Sequence, residues 1–590
     1  MSMINIKLNN MDLACPAGST ILEAARTAGI EIPTLCYLKE VNQIGACRVC
    51  VVEVKGARTL VAACVYPVSE GMEVFTNTTR VREARKKTLE LILSNHRKDC
   101  LTCVRSQNCE LQKLCIEHGV DQVRFADDEL KAEIEASTAH LVRDNSKCVL
   151  CRRCVSICKK QQDVAVIGAN DRGFATNIGS PFGRTLGEMA CVSCGQCIIV
   201  CPTAALTEKD DTEKAYAALA DPKKHVIAIT APAVRVALGE CFGMPMGTNV
   251  EGKMVASLRR LGFDKVFDVG VGADFTIMEE GTEMMQRLET GENLPIITSC
   301  SPGWVRYCEQ YYPEFIKNLS SCKSPQQMTG ALIKTYYAQK MNIDPKDIFV
   351  VSVMPCTAKK YEIWRPNQQA VTGCNDIDVV VTTRELGRMI SNAGLMFTNL
   401  QDEEFDPMLG ISTGAGYTFG VTGGVTEAAL RTVVEKLTGK ELEKLVFEEV
   451  RGYDGIKEAQ YDVAGRTVKI AIASGLTNAG NLLDSIKSGE ANYDMIEVMG
   501  CPGGCVNGGG QPIQTGFVQS FNDLREIRGS ALYKGATDSR HLHKSHESPI
   551  VKEVYSECLG EPGGEKAHHW LHTTYKEQPK YPGLAAEQKK

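Results

Sequence analysis

Cysteine is the residue through which this chain can do chemistry. The 590 residues hold 26 of them, most in tight groups. Three groups lie in loops of Gly, Pro and small residues: Thr298-Ser-Cys-Ser-Pro-Gly-Trp304, Met354-Pro-Cys-Thr-Ala-Lys-Lys360 and Met499-Gly-Cys-Pro-Gly-Gly-Cys-Val-Asn-Gly-Gly-Gly-Gln-Pro512. Glycine lets backbone approach a bulky inorganic group closely, and proline fixes the loop around it. So many thiols would suit disulfides only in a short secreted chain. Clusters at Cys-x-x-Cys spacing in a long chain point to metal ligation. Seven cysteines outside the groups read as buried thiols: Cys15, Cys115, Cys241, Cys308, Cys322, Cys374 and Cys558.

Four ligand sets precede residue 210. Cys36, Cys47, Cys50 and Cys64 offer a close pair after Gly45 plus two outlying thiolates, which can hold a [2Fe–2S] cluster. Zinc is the rival, but the ten-residue first gap fits no common zinc module. The set resembles the ferredoxin-like module of hydrogenases and of the large NADH-dehydrogenase iron–sulfur subunit. His96, Cys100, Cys103 and Cys109 resemble the His-plus-three-Cys [4Fe–4S] site of the same two families, with a zinc site of the same four ligands as alternative. A neutral imidazole in place of a thiolate raises the local potential. One motif then occurs twice, as Cys148, Cys151, Cys154, Cys158 and as Cys191, Cys194, Cys197, Cys201. In such a run each fourth cysteine serves the other cluster. Cys201 therefore joins Cys148, Cys151 and Cys154 in one [4Fe–4S] set, and Cys158 joins Cys191, Cys194 and Cys197 in the second. Pro202 follows Cys201, but Lys159 follows Cys158, which loosens one turn without removing a ligand.

A wire of four clusters needs a terminus that exchanges electrons with a substrate. The three Gly- and Pro-rich loops resemble the signature segments of the catalytic domain of [FeFe]-hydrogenases, and the likeness runs to about residue 575. This resemblance implies reversible conversion of H2 to protons and electrons at an H-cluster. That cofactor is a [4Fe–4S] cubane joined through one cysteine sulfur to a two-iron subsite with CO, cyanide and azadithiolate. Carried over by position, Cys356, Cys501 and Cys505 ligate the cubane, and Cys505 bridges to the two-iron subsite. Met354 and Met499 pack against that subsite, Lys359 bonds a cyanide, and Pro232 and Gln326 line the pocket. Glu280 and Glu283, on one helical face, resemble the family's proton path together with Arg287 and Ser320. A carboxylate relays protons at neutral pH when burial raises its pKa. Without the resemblance this pair reads as an exposed acidic helix face.

One position departs from the family, which has two adjacent cysteines before the proline. Direct alignment makes Cys300 the proton relay and puts Ser301 at the fourth cubane ligand. Serine alkoxide is a harder and more basic iron ligand than thiolate. In a loop shifted by one residue, Cys300 ligates and Ser301 takes the relay region.

To position these groups, the chain is expected to be an α+β multidomain protein. Residues 1–80 form a β-grasp [2Fe–2S] ferredoxin-like domain, with a helix opened by a Thr20/Glu23 capping box and ended near Gly29. Residues 81–120 form the His-plus-three-Cys [4Fe–4S] domain, opening on a basic amphipathic helix over 81–96, and 138–210 the two-cluster ferredoxin domain. Residues 211–575 form an α/β catalytic H-cluster domain, and 576–590 a tail. Apolar runs such as Val226–Ile229, Ile348–Val353 and Val379–Val381 predict buried strands between helices. Gly414-Ala-Gly416 and Gly423-Gly424 lack a phosphate-binding fingerprint and read as close-packing turns.

A net charge of −6 gives no signal for nucleic acid, and no apolar run reaches membrane-spanning length. The first residues alternate like a strand and show no signal-peptide pattern, so a cytoplasmic setting is expected. With no nucleotide fingerprint, electrons come from a ferredoxin or from flavoprotein subunits handling NAD(P)H, and maturation proteins supply the H-cluster. Competing classes are a sensory or low-activity hydrogenase-like protein, favoured by Ser301, a cluster-assembly protein, and a subunit of an NADH-dehydrogenase-like complex.

Overall fold

A computed structural model describes residues 2–125, 134–439, 450–453, 455–463, 465–538 and 542–581. The chain begins with a five-stranded sheet in the order Met11–Pro16, Met3–Leu8, Glu73–Phe75, Val51–Val54, Val61–Ala62. The helix Ile21–Thr27 starts at the expected capping box: Glu23 N–H donates to Thr20 Oγ1 at 3.2 Å, and Thr20 N–H donates to Glu23 Oε2 at 2.8 Å. Gly29, with φ +70°, follows its C-cap Ala28. The basic helix spans Thr79–Leu93, earlier than 81–96, because Thr78 caps it through the Val81 N–H. It ends before His96, which leaves the imidazole on a loop beside Cys100. The repeated motif also behaves unequally. The helix Arg153–Lys160 runs on past Cys158 through Lys159, whereas the second helix, Gln196–Ile199, stops two residues before Cys201, which Pro202 follows.

Two four-stranded sheets organise the rest. One runs Lys265–Asp268, His225–Thr230, Ile348–Met354, Val379–Thr382, all parallel. The other runs Ile296–Ile297, Met495–Met499, Arg466–Ser474, Ile456–Val463, with only the last strand antiparallel. Their apolar runs follow from burial on both faces. The 22-residue helix Val269–Thr290 packs on the helix Pro325–Leu332. A Cβ at Gly272 would stand 2.3 Å from the Pro325 carbonyl, so only glycine permits that crossing. Gly414-Ala-Gly416 does serve close packing, 2.6 Å from the Gly270 carbonyl for a Cβ at Gly416, but it lies in the short helix Gly414–Thr418, not a turn. Of the seven cysteines expected as buried thiols, Cys15, Cys308, Cys322 and Cys374 are buried, Cys115 and Cys558 are half-buried and Cys241 is exposed. Residues 582–590 of the expected tail lie outside the described residues. Among the described residues no helix is long and apolar enough to cross a membrane.

The cysteine-rich parts are bolted together by buried polar groups. Arg153 pairs with both carboxylate oxygens of Glu110, at 2.7 and 2.9 Å, and donates to the Tyr37 carbonyl at 3.0 Å. Glu110 also takes the Gly516 N–H at 3.1 Å. Asn42 donates to the carbonyls of Cys36 and Cys151, at 2.8 and 3.0 Å. Arg105 reaches the Cys201 carbonyl at 3.1 Å. The first two ligand sets therefore both abut the set of Cys148, Cys151, Cys154 and Cys201.

Candidate active site

The three glycine- and proline-rich loops leave the carboxyl ends of parallel strands, where open α/β sheets bind their ligands. Ile296–Ile297 leads to Cys300, Ile348–Met354 to Cys356, and Met495–Met499 to Cys501 and Cys505. Met354 and Met499 end their strands at 2% exposure, and buried Pro232 follows the strand His225–Thr230. Burial pushes the thiols of Cys356, Cys501 and Cys505 up, the last to about 12; for Cys501 and Cys505 the neighbouring sulfurs add to the rise. Crowded buried thiolates are stable only around a cation. The donor set thus fits an iron–sulfur group.

Lys359 donates to the Cys300 carbonyl at 3.2 Å and to Glu362 at 3.0 Å. Glu362 also accepts from Gln326 and Ser324, each at 3.0 Å, and Gln326 in turn accepts from Ser352 at 2.9 Å. Glu362 is missing from the sequence reading, although its place three residues after Lys359 on a helix was a usable signal. Glu497 is a second omission. It is a lone carboxylate within the apolar strand Met495–Met499, bonded by the N–H groups of Gly423 and Thr426 at 2.7 Å. Burial raises its pKa to about 7.

Cys300 and Ser301 face different groups. Beyond burial, the charges that raise the Cys300 thiol are those of Glu280 and then Cys505. Ser301 starts the helix Pro302–Tyr311, and its hydroxyl accepts the Gly500 N–H at 3.3 Å. A Cβ on Gly500 would stand 2.9 Å from that oxygen. Glu280 is 5% exposed and its Oε1 has no hydrogen-bond partner among the described residues. Burial, then repulsion from Glu283, raises its pKa to about 8, while Ser320 and Arg287 pull the other way. Ser320 donates to Glu283 at 2.8 Å, and Arg287 pairs with Glu283 at 2.6 Å. The structure thus brings Cys300, Glu280, Ser320, Glu283 and Arg287 into one region, and Glu280 is not on an exposed face.

The residues of each of the four sets of the wire come together in space, two of them around a cavity. Cys50 Sγ lies 3.3 Å from Cys64 Sγ, and Cys36 stands within hydrogen-bond reach of Cys47 and Cys64. One cavity is lined by His96, Cys100, Cys103 and Cys109. His96 is buried, its Nδ1 has no partner among the described residues, and burial lowers its pKa to about 4, so it offers the neutral imidazole a metal takes. Another cavity is lined by Cys148, Cys151, Cys154 and Cys201, the crossed set expected from the repeat. In the second crossed set burial raises the thiols of Cys158, Cys194 and Cys197. The charge of Cys191 adds to the rise in all three. His140, outside every motif, lies 3.9 Å from Cys191 Sγ. This last set touches the catalytic loops directly. Thr357 donates to the Ser193 carbonyl at 2.9 Å, and Gln196 to the Asn507 carbonyl at 2.9 Å. A Cβ on Gly509 would stand 2.4 Å from the Cys194 carbonyl, so glycine alone allows this contact.

Fold and site define an iron–sulfur oxidoreductase with a buried terminal centre. Residues 224–509 match the family described as iron only hydrogenase large subunit, C-terminal domain, and 522–578 match iron hydrogenase small subunit. Residues 1–79 match a 2Fe-2S iron-sulfur cluster binding domain, 85–124 the NADH-ubiquinone oxidoreductase-G iron-sulfur binding region, and 186–207 a 4Fe-4S binding domain. The chain is 48% identical to NADP-reducing hydrogenase subunit HndD of Solidesulfovibrio fructosivorans, covering 98% of this chain and 99% of that one. It is 42% identical to iron hydrogenase 1 of Clostridium pasteurianum, over 97% and 100%. The solved apo [FeFe]-hydrogenase HydA1 from Chlamydomonas reinhardtii aligns with a TM-score of 0.56 and 41% identity, over 63% of this chain and all of that one. The chain belongs to the [FeFe]-hydrogenase family. It is an iron hydrogenase carrying [2Fe–2S] and [4Fe–4S] clusters and an H-cluster, and the sensory alternative is not favoured.

Proposed function

We propose that the chain is a catalytic subunit that interconverts H2 with protons and electrons, using one [2Fe–2S] cluster, three accessory [4Fe–4S] clusters and one H-cluster. Cys36, Cys47, Cys50 and Cys64 hold the first; His96, Cys100, Cys103 and Cys109 the second; the two crossed cysteine sets the third and fourth. Cys356, Cys501 and Cys505 hold the cubane of the H-cluster. The observation that carries this reading is the close contact of Cys194 and Gly195 with Gly509, which joins the wire to the catalytic loops. When bound, the H-cluster, with its CO, cyanide and azadithiolate, supplies the redox chemistry of H2. The protein's own part is to move protons and exclude water. Glu280 holds a proton below about pH 8 on an oxygen free to accept it, between Cys300 and the Ser320–Glu283–Arg287 group. Lys359, held by Glu362, presents a buried ammonium to the pocket.

In this reading Cys300 is the relay and Ser301 stands at the fourth cubane position. The nearness of Cys300 to Glu280, and of Ser301 to Gly500, supports that register. Electrons pass to flavoprotein subunits handling NAD(P)H or to a ferredoxin. The NADP-reducing relative supports the former, and exposed Leu101 and Val104 beside Cys100 offer an apolar face to either partner. Maturation proteins complete the H-cluster, and a reducing cytoplasm suits the unpaired thiols.

Infrared spectroscopy of matured protein tests the whole: intrinsic CO and cyanide bands, with about 20 iron atoms per chain, are expected. Iron near four, or tightly bound zinc, sinks the wire. Electron paramagnetic resonance tests the register. Cys300→Ala should abolish turnover yet leave the cubane assembled, and Ser301→Cys should strengthen cluster retention, since thiolate is the softer ligand. Loss of the cubane in Cys300→Ala would mean the shifted loop.

A further inference from the structure

The helix that carries Glu280 and Glu283 also carries Glu279, which turns to another side. Glu279 is 1% exposed and accepts from the Tyr555 hydroxyl, from the Gly563 N–H at 2.8 Å, and from His572 Nε2 at 3.0 Å. All three partners come from the C-terminal segment. His572 is 8% exposed. Its other ring nitrogen, Nδ1, lies 2.8 Å from the Ser321 hydroxyl. Ser321 in turn gives its backbone N–H to both oxygens of Glu283, at 3.1 and 3.3 Å. The backbone holds this arrangement in register: His572 bridges Cys322, Thr573 N–H donates to the Ser321 carbonyl at 2.8 Å, and Lys323 N–H donates to the Leu571 carbonyl at 2.8 Å. Exposed His568 stacks on the His572 ring, centroids 4.5 Å apart and planes 14° apart, which gives the buried imidazole a titratable neighbour at the surface.

Hydrogen-bond chemistry makes His572 unusual among buried histidines. Neutral, it donates from Nε2 to Glu279 and accepts at Nδ1 from the Ser321 hydroxyl. Protonated, it donates from both nitrogens, and the hydroxyl turns to accept. A hydroxyl can do either, so the ring takes up a proton without losing a bond. The new charge lies against the Glu279 carboxylate. We propose that His572 is a proton-responsive positioning residue for the carboxylate route, acting on Glu283 through Ser321. The inference rests on the reading of Glu280 and Glu283 as that route.

The other ionisable groups around it are Glu283, Cys322, His568, Tyr555, Tyr575, through Glu283 also Glu280, and through Glu279 also Lys436. Arg287 and Lys323 are already paired, with Glu283 and Asp376. Protonated His572 therefore sits among carboxylates and favours their charged forms. Neutral His572 does not. At the acid end of the pH range the route works with a second cation, joined to Glu283 through Ser321, besides Arg287, and at the alkaline end with Arg287 alone.

His572→Gln keeps a donor for Glu279 and an acceptor for Ser321 but never carries charge. In matured holoenzyme, kcat for H2 production should fall roughly threefold to tenfold at the acid end, the scale of half to one pK unit of coupling, and meet the parent at the alkaline end. KM for a viologen donor and the infrared bands should not move. Histidine C2–H exchange followed by mass spectrometry reads the His572 ring without turnover, and its exchange profile should change in Glu279→Gln. A His572→Gln profile that superimposes on the parent's overturns the proposal, as does an exchange profile indifferent to Glu279→Gln. Should His572→Gln not fold, His572→Asn removes the charge with a smaller amide and must reproduce the altered profile; a parental profile there overturns the proposal too. Glu280→Gln separates the two levels: if it turns over normally the route itself is wrong, and if it is impaired while His572→Gln is parental, only the role of His572 falls.

Discussion

In the proposed reading electrons and protons reach the catalytic loops from two sides, and the two sides are built differently. On the electron side the contact centres on backbone: Gly195 and the Cys194 carbonyl lie against Gly509, and the Thr357 hydroxyl and Gln196 amide each bond a main-chain carbonyl across it. On the proton side it is side chain on side chain, from Glu280 through Ser320 to Glu283 and Arg287. Electron tunnelling asks only that clusters come close with packed atoms between them, so small residues suffice. Proton transfer asks for donors and acceptors in sequence, each with a suitable pKa. The electron side should therefore fail by steric intrusion, and the proton side by loss of a single ionisable group.

The largest effect belongs to Glu280→Gln. Turnover should fall by about 10²–10⁴-fold with infrared and paramagnetic spectra intact, because the amide keeps the shape but cannot ionise. Normal turnover would reduce Glu280 to a packing residue. Gly509→Ala attacks the opposite side. Its Cβ would meet the Cys194 carbonyl at 2.4 Å, and overpacking of this kind costs about 1–3 kcal/mol. Thermal unfolding should show the loss, and electron-limited turnover should drop while the shape of the pH profile stays. A parental melting temperature would mean that the two loops part easily.

The third effect is a slope. Burial, followed by Glu283, holds the Glu280 pKa at about 8, above its unfolded value. Below the unfolded pKa the group is protonated in both states and costs nothing. As pH rises from there to about 8, the unfolded chain ionises and the native one does not, so stability falls by at most about 1.4 kcal/mol per pH unit. Denaturant unfolding of Glu280→Gln should lack this slope; equal slopes would place the titration elsewhere. The smallest effect is Thr357→Val, which removes one hydrogen bond to the wire and should cost about 0.5–1.5 kcal/mol with little change in turnover.

The same contrast explains what the sequence made legible. Wire ligands sit in short local runs, so the crossed pairing of Cys201 with Cys148, Cys151 and Cys154 can be written down from spacing, and one cavity gathers those four. The proton side is scattered over the helix Val269–Thr290, the loop at Ser320–Ser321 and the C-terminal segment, and only a family likeness joins them. Glu362 and Glu497 had signals that pattern reading passed over, one on a helical face and one inside an apolar strand. Glu279, His572 and Arg153 had none, because their partners lie hundreds of residues away or in another domain. Helix limits slipped where caps decide them, as at Thr78, and a helical glycine pair looked like a turn because the sequence does not show the neighbouring backbone that requires it.

Arg153 also bears on how such an enzyme can be shortened. Its guanidinium is 1% exposed and is answered by Glu110, the Tyr37 carbonyl and, through Glu110, the Gly516 N–H. A version trimmed to the two-cluster and catalytic parts would discard Glu110 and Tyr37 together with surface that buries Arg153, so the cation would lose its partners and turn to water. The accessory modules are therefore not a detachable cassette. Cutting them away uncovers Ile157 and Val200, which pack on Leu38 and Val41, and calls for polar side chains there in the same step.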